Sequence, residues 1–343
     1  MKSPAQVVFL LLLSTSFGCG AALSTDELKK DPTAAESDTK GFPLTGRHVV
    51  CYNVENLFDT KDDPATNDQD FLPGSAMQWT EERLALKLDH LAEAIGLAGD
   101  GYPALIGLVE VENKQVVERL VNETALRGAR YTIVHQDSPD ERGIDVALCF
   151  DPSALRLVNS EFLEVSLDED RTRDILHAEL NGGELTFHVF VNHWPSRRGG
   201  PAQSEPKRMA AAKVLRDAIE KVRTGTTTHV LVMGDFNDTP NDQSIQEGLG
   251  AGCSVKGERL VDLMCMEQPA GHGSYLYRGA WDYLDQFIVD PSLLPQVKKA
   301  SALWNENLLF RHPKYGLSPD KTYSGGHYKG GYSDHLPIVL EFN

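Results

Sequence analysis

Seven short apolar runs punctuate the chain: HVVCYNV, ALIGLVEV, DVALCF, LTFHVFVNH, HVLVMGD, DQFIVD and PIVLEF. Each is six to nine residues long and rich in Val, Ile, Leu or Phe, so each predicts a strand. Two other stretches repeat at helical spacing. Leu84, Leu88, Leu91 and Ile95 follow Thr80 and give way to Gly99. Met209, Ala212, Leu215, Ile219 and Val222 follow Ser204 and give way to Gly225. Strands and helices are interspersed without strict alternation. That predicts stacked sheets flanked by helices rather than a plain doubly wound sheet.

Four of the apolar runs end in polar residues of types that do chemistry: Asn53, Glu110, His193 and Asp235. One such ending means little. Four suggest a single rim, because a rigid scaffold displays functional groups where strands give way to loops. From Arg47 to Asn343 no linker, repeat or low-complexity stretch intervenes, so residues 47–343 are expected to form one domain.

The preceding residues read differently. Lys2 is followed by VVFLLLLS, an apolar run too short to span a bilayer as a helix, and residues 1–22 read as a signal peptide. SFGCGAA resembles the signal of a bacterial lipoprotein, with Cys19 as the lipidated residue; an ordinary cut near Ala22 is the alternative. Either places the mature protein outside the cytoplasm, lipid-anchored in the envelope or secreted, with Cys19 as its sole membrane link. Residues 23–46 are polar and aperiodic, as in a flexible tether. Cys51 and Cys149 lie in apolar runs and are expected as core thiols, while Cys253 and Cys265 could pair in an oxidising compartment. A monomer is expected.

The net charge of −17 argues against a sequence-reading DNA binder, since such binding rests on Lys and Arg neutralising phosphates. It argues less against a hydrolase, whose bound cations can reverse the field locally. Candidate chemistry centres on VLVMGDFNDTP. Gly234 permits a sharp exit from a strand, and Asp235 and Asn237 share one side if the chain stays extended. A carboxylate and a carboxamide so placed could deprotonate a water and hold a phosphate oxygen. A solvated turn is the alternative.

With these residues in view, NVENLF, GLVEVEN, RGIDVALCF, VNHWPSR, MGDFND, WDYLDQFIV and GGYSDHLPI follow one another in an order that resembles the endonuclease/exonuclease/phosphatase superfamily. NLFDTKDDP, MQWTEERLALKL and NHWPSRRGG resemble its secreted or lipid-anchored bacterial branch. The resemblance implies a four-layered α/β sandwich, two stacked mainly antiparallel or mixed sheets flanked by helices, and metal-dependent phosphoester hydrolysis. It implies Glu110 and Asp334 as metal ligands, with Asn53 beside them at metal and substrate. It implies Asp235 as the group that activates water and Asn237 as its partner on the phosphate. It further implies His193 on the phosphate, Arg142 as a basic phosphate contact, and Asp285 orienting a protonated His335. Oxygen donors without thiolates suit Mg²⁺ (or Mn²⁺/Ca²⁺).

Arg197 or Arg198 in PSRRGG could hold phosphate, with a solvated loop as the alternative, and Trp281, just before Asp285, could stand at the edge of the site. Asp334 and His335 would point to opposite faces of a regular strand, so GGYSDH must leave that form to bring both into one site. KDDPATNDQD lacks the Gly and Glu of an EF-hand and reads as a solvated acidic turn. His48, His90, His135 and five other histidines carry no motif. The leading substrate is nucleic acid. A phosphatase or a lipid phosphodiesterase is the alternative within the class, and a non-catalytic ligand-binding lipoprotein the alternative outside it.

Overall fold

The computed structural model describes residues 41–168, 170–223, 228–254, 259–265 and 271–343. The expected signal peptide, Cys19 and most of the expected tether lie outside these residues. In chain order, β1 (His48–Leu57) leads through α1 (Glu81–Gly96) to β2 (Leu105–Val111) and α2 (Lys114–Glu123). Then come β3 (Thr132–His135), β4 (Asp145–Phe150), β5 (Arg156–Leu163), β6 (Ile175–Gly182) and β7 (Leu185–His193). After α3 (Pro201–Val222) follow β8 (Thr228–Asp235), β9 (Ala251–Gly252) and β10 (Leu260–Asp262). A hairpin of β11 (Tyr275–Tyr277) and β12 (Ala280–Asp282) precedes β13 (Asp285–Val289) and β14 (Val297–Ala302). Two small hairpins, β15 (Leu309–His312) with β16 (Gly316–Pro319) and β17 (Tyr323–Ser324) with β18 (His327–Tyr328), lead to β19 (Ile338–Phe342).

The strands form a six-stranded sheet, β14-β19-β1-β2-β4-β3, and a seven-stranded sheet, β5-β6-β7-β8-β13-β10-β9. All seven predicted strands are present. In β1, Val49 and Cys51 face one core while Val50, Tyr52 and Val54 face another, the period-two alternation of a strand buried on both sides. The first core lies between the sheets, where Leu105 and Val109 meet Phe187, Val189, Leu231 and Met233. Outside the six-stranded sheet, Leu84, Leu88, Leu91 and Ile95 of α1 pack on Val50, Ile106 and Leu108. Outside the other, Ala211, Ala212, Leu215 and Ile219 of α3 pack on Phe190, Val230 and Val232. The result is helix, sheet, sheet, helix: the expected four-layered sandwich. Burial of each such Leu or Ile contributes roughly 1.5–3 kcal/mol.

Each sheet contains one crossover unit that positions the site. β1 and β2 are parallel and joined through α1, and β7 and β8 are parallel and joined through α3. A helical crossover is what a parallel pair requires. It brings the carboxyl ends of both strands to the same edge of their sheet.

Some expectations are refined. Phe42 and Leu44 are buried in the core between the sheets, so the folded part begins inside the expected tether. Asp68 is only 1% exposed and accepts the Asp63 amide at 2.8 Å, so the acidic stretch is a built turn and not a wholly solvated one. Cys253 and Cys265 are joined as a disulfide, and Cys51 and Cys149 are buried free thiols. Among the described residues no helix is long and apolar enough to cross a membrane.

Candidate active site

Register alone assembles half of the site. His193 at the end of β7 lies opposite Asp235 at the end of β8, and Asp235 lies opposite Asp285 at the start of β13. The three side chains therefore form a row across adjacent strands. The backbones are close here. A Cβ on Gly234 would stand 2.1 Å from the Asn192 carbonyl oxygen, and φ at Gly234 is 148°. Only glycine fits that position without moving a strand.

The six-stranded sheet supplies the facing groups. Glu110 has φ of 67° at an irregularity between Val109 and Val111. A non-glycine residue in that conformation is sustained only where its surroundings fix it, as functional sites do. Its Oε2 accepts the Asn56 amide at 3.0 Å. Its Oε1 lies 3.7 Å from His193 Nε2, which in turn lies 3.9 Å from Asp235 Oδ2.

GGYSDH departs from strand form as expected. His335 makes a single bridge to Tyr275, and β19 begins only at Ile338. Ser333 Oγ donates to the Asn53 carbonyl at 2.7 Å and accepts the His335 amide at 3.2 Å. Asp334 and His335 both line the cleft. His335 Nδ1 donates to Asp285 Oδ2 at 2.7 Å, and its Nε2 stands 3.8 Å from Asp235 Oδ2.

The two histidines are driven to opposite charge states. Burial pushes His193 well below its ordinary range, and Arg173, Arg142 and His335 push the same way. Burial would also lower His335, but Asp285, Asp235 and Asp334 together hold it well above. These surroundings favour the neutral form of His193 and the cationic form of His335. Burial raises the Asp235 carboxyl, with Asp285 and Glu110 adding to the rise and His335 opposing it. Burial likewise raises Asp334, helped by Glu110. Environments that separate like groups in this way mark acid and base roles.

Ligand atoms of Asp235, Asp285 and His335 lie within 4.8 Å of one another. With His335 held toward its cationic form by these carboxylates, its own ring offers a cation no lone pair, whereas the carboxylate oxygens of the trio remain donors. The donor set that fits a hard dication is Glu110 with Asp334. Both carboxylates line the cleft, and Glu110 raises the cost of charge on Asp334.

The cleft holds ≈ 530 Å³. Glu110, Asp235, Asn237, His193, Asp334, His335 and Arg142 line it, and Asp285 stands directly behind His335. Asn53 is placed otherwise than expected. Its Nδ2 donates to Asp235 Oδ2 at 3.1 Å and its Oδ1 accepts the Glu55 amide, so its amide orients Asp235 from below. Arg197 lines the cleft, yet its guanidinium is bound to Asn237 O at 2.6 Å, Asp242 Oδ2 at 2.6 Å and Asp238 Oδ1 at 3.2 Å. It clamps the loop that carries Asn237. Trp281 packs on Trp304 at 4.6 Å, because alternation along β12 turns its neighbour Asp282 to the cleft instead.

Four participants were not anticipated. Asn56 lines the cleft and fixes Glu110, although it stands within NVENLF. Tyr275 and Tyr277 form an aromatic wall. Arg173, buried, donates to Asp140 at 3.0 Å and to the Trp194 carbonyl at 2.7 Å, next to His193.

The sequence model of the Endonuclease/Exonuclease/phosphatase family matches residues 48–343. The chain belongs to that family. Endonuclease/exonuclease/phosphatase proteins are phosphoester hydrolases, and the site described above lies wholly inside the matched residues. Solved structures share the fold. A humanized D. rerio TDP2 superposes with TM-score 0.55 at 16% identity, covering 87% of this chain and 98% of that one. A mannosyl-6-phosphatase of Bacteroides thetaiotaomicron gives TM-score 0.55 at 16% identity, covering 87% and 99%. The human Nocturnin catalytic domain gives 0.50 at 17%, covering 87% and 94%. Comparison with curated proteins gives no match.

Proposed function

We propose that the chain hydrolyses phosphoesters with a divalent metal, acting foremost as a nuclease-like phosphodiesterase. The observation that carries this reading is one cleft in which the His335–Asp285 pair, at 2.7 Å, and buried Asp235 face the carboxylates Glu110 and Asp334. Glu110 and Asp334 would hold a hard cation such as Mg²⁺, whose charge would offset that of the non-bridging phosphoryl oxygens. Asp235, made more basic by burial and oriented by Asn53 and the Asn237 amide, takes the proton of the attacking water. His335 donates from Nε2 to a phosphoryl oxygen as charge develops, and Asp285 keeps it cationic. Neutral His193 and Asn237 contact the phosphate, and Arg142 meets it at the rim.

A second reading has support of its own. The net charge of −17 and the compact cleft favour a small phosphorylated molecule or a nucleic-acid end over a long duplex. The leader further supports an exported enzyme, which intact-mass measurement of the mature protein would test at Cys19.

The discriminating experiment sets Mg²⁺, Mn²⁺ and Ca²⁺ against duplex DNA, single strands, RNA, inositol phosphates, sphingomyelin and a hexose 6-phosphate. The expected result is diester cleavage that stops with EDTA. Turnover of small monoesters alone would overturn the nuclease reading.

A further inference from the structure

The loop between β3 and β4 carries three groups that the hydrolytic cleft does not use. His135 closes β3, Asp137 follows it, and Asp145 opens β4. One ligand atom from each lies within 4.8 Å of the other two. His135 Nε2 stands 3.8 Å from Asp145 Oδ2, and His135 Nδ1 stands 3.8 Å from Asp137 Oδ1. The side chains of His135 and Asp145 are 2% and 3% exposed, while Asp137, 83% exposed, covers the outer side. Buried His135 Nε2 has no hydrogen-bond partner. A buried polar atom left unpaired is costly, which favours a partner at this position. The Ser138 amide donates to Asp145 Oδ1 at 3.0 Å and fixes the carboxylate, whose other oxygen faces the orphaned nitrogen.

A gap of 3.8 Å is too long for a hydrogen bond, but two coordination bonds of about 2.0–2.2 Å, one from Asp145 Oδ2 and one from His135 Nε2, span it at an open angle, with Asp137 within 4.8 Å as the third donor and Nδ1 left outside the coordination. We propose that His135, Asp137 and Asp145 form a second divalent-cation site that takes a transition metal such as Zn²⁺. Imidazole with two carboxylates suits Zn²⁺ and Co²⁺ better than Mg²⁺, and the two carboxylates balance the charge of a dication. The ion ties β3 to β4 across the loop of residues 136–144. That loop carries Asp140, which holds Arg173, and Arg142, which lines the cleft. The site is structural and acts on catalysis only through the placement of these residues.

The test is calorimetric titration of Zn²⁺, and visible spectroscopy with Co²⁺, on the chelator-stripped full-length protein and its variants. Wild type is expected to bind one equivalent more than Asp145→Asn and to gain thermal stability with Zn²⁺ but not with Mg²⁺ at the same concentration. Exposed Asp137→Ala, which leaves the fold intact, is expected to weaken that equivalent by roughly 10-fold or more. Equal stoichiometry, affinity and Zn²⁺-induced stabilisation in wild type and Asp137→Ala would overturn the proposal even if Asp145→Asn failed to fold. So would anomalous zinc density confined to the cleft, which would leave water between His135 and Asp145.

Discussion

Gly234→Ala separates the geometry of the site from its chemistry, because it removes no functional group. The new Cβ would lie 2.1 Å from the Asn192 carbonyl oxygen and 2.8 Å from Asn192 C and N, all backbone atoms of β7. Contacts under 3.0 Å are essentially not seen, so β7 and β8 must part by about 1 Å where His193 faces Asp235. A misplacement of about 1 Å among reacting groups costs roughly 10²-fold in rate. The φ of 148° adds backbone strain on the order of 1–3 kcal/mol. In a chain of this size that lowers Tm by about 1–5 °C. The assay is steady-state hydrolysis of bis(4-nitrophenyl) phosphate, with scanning calorimetry on the same samples. Gly96→Ala, at the end of α1 with nothing within 4 Å of the new Cβ, is the control and is expected to leave kcat unchanged and Tm equal or slightly raised. A Gly234→Ala protein with kcat within threefold of wild type and an unchanged Tm would refute the close approach of the strands.

Other substitutions probe separate parts of the structure. Asp285→Asn keeps the contact at 2.7 Å but removes the charge that sustains the His335 imidazolium; kcat is expected to fall roughly 10²–10⁴-fold, and a loss under fivefold would contradict it. Lys87 is buried and donates to Thr322 Oγ1 at 2.5 Å and to the Tyr332 carbonyl, beside the loop of Asp334. Lys87→Met is expected to cost on the order of 3 kcal/mol in urea unfolding, and a cost under about 1 kcal/mol would contradict this. Burial pushes Asp262 up to about 7, so between the unfolded value, ~3.9, and about 7 the folded chain binds the extra proton and stability falls as pH rises. Asp262→Asn should lessen that fall, and the Tm of the variant relative to wild type should climb between pH 5 and 8. Parallel Tm curves would contradict it.

What could be read from the sequence follows what local pattern can encode. The central strands were legible because nearly all their positions are buried, as in the six residues of β4. β5 was not, because its positions are exposed or half-buried and its apolar residues are diluted by polar ones. Asp235, His193 and Glu110 were legible as polar ends of apolar runs. Trp281 was misplaced because nearness in sequence to Asp285 says nothing of the face on which a strand residue projects. The ties of Arg197 were hidden because its acceptors, Asp238 and Asp242, lie more than 40 residues away. The buried Lys87 shows the same limit more strongly, since its partner Thr322 is 235 residues distant. His135 carried no motif at all, and only the pairing of β3 with β4 brings it to Asp145.

The most direct measurement is hydrolysis of a phosphodiester by wild type, Asp235→Ala and His335→Ala, each after EDTA treatment and again after Mg²⁺ or Mn²⁺ is restored. The expected result is that wild type recovers activity with metal, while both variants remain at least roughly 10²-fold below it with their folds intact. Full activity in either variant, or a wild type indifferent to EDTA, would contradict a metal-assisted cleft built from both sheets.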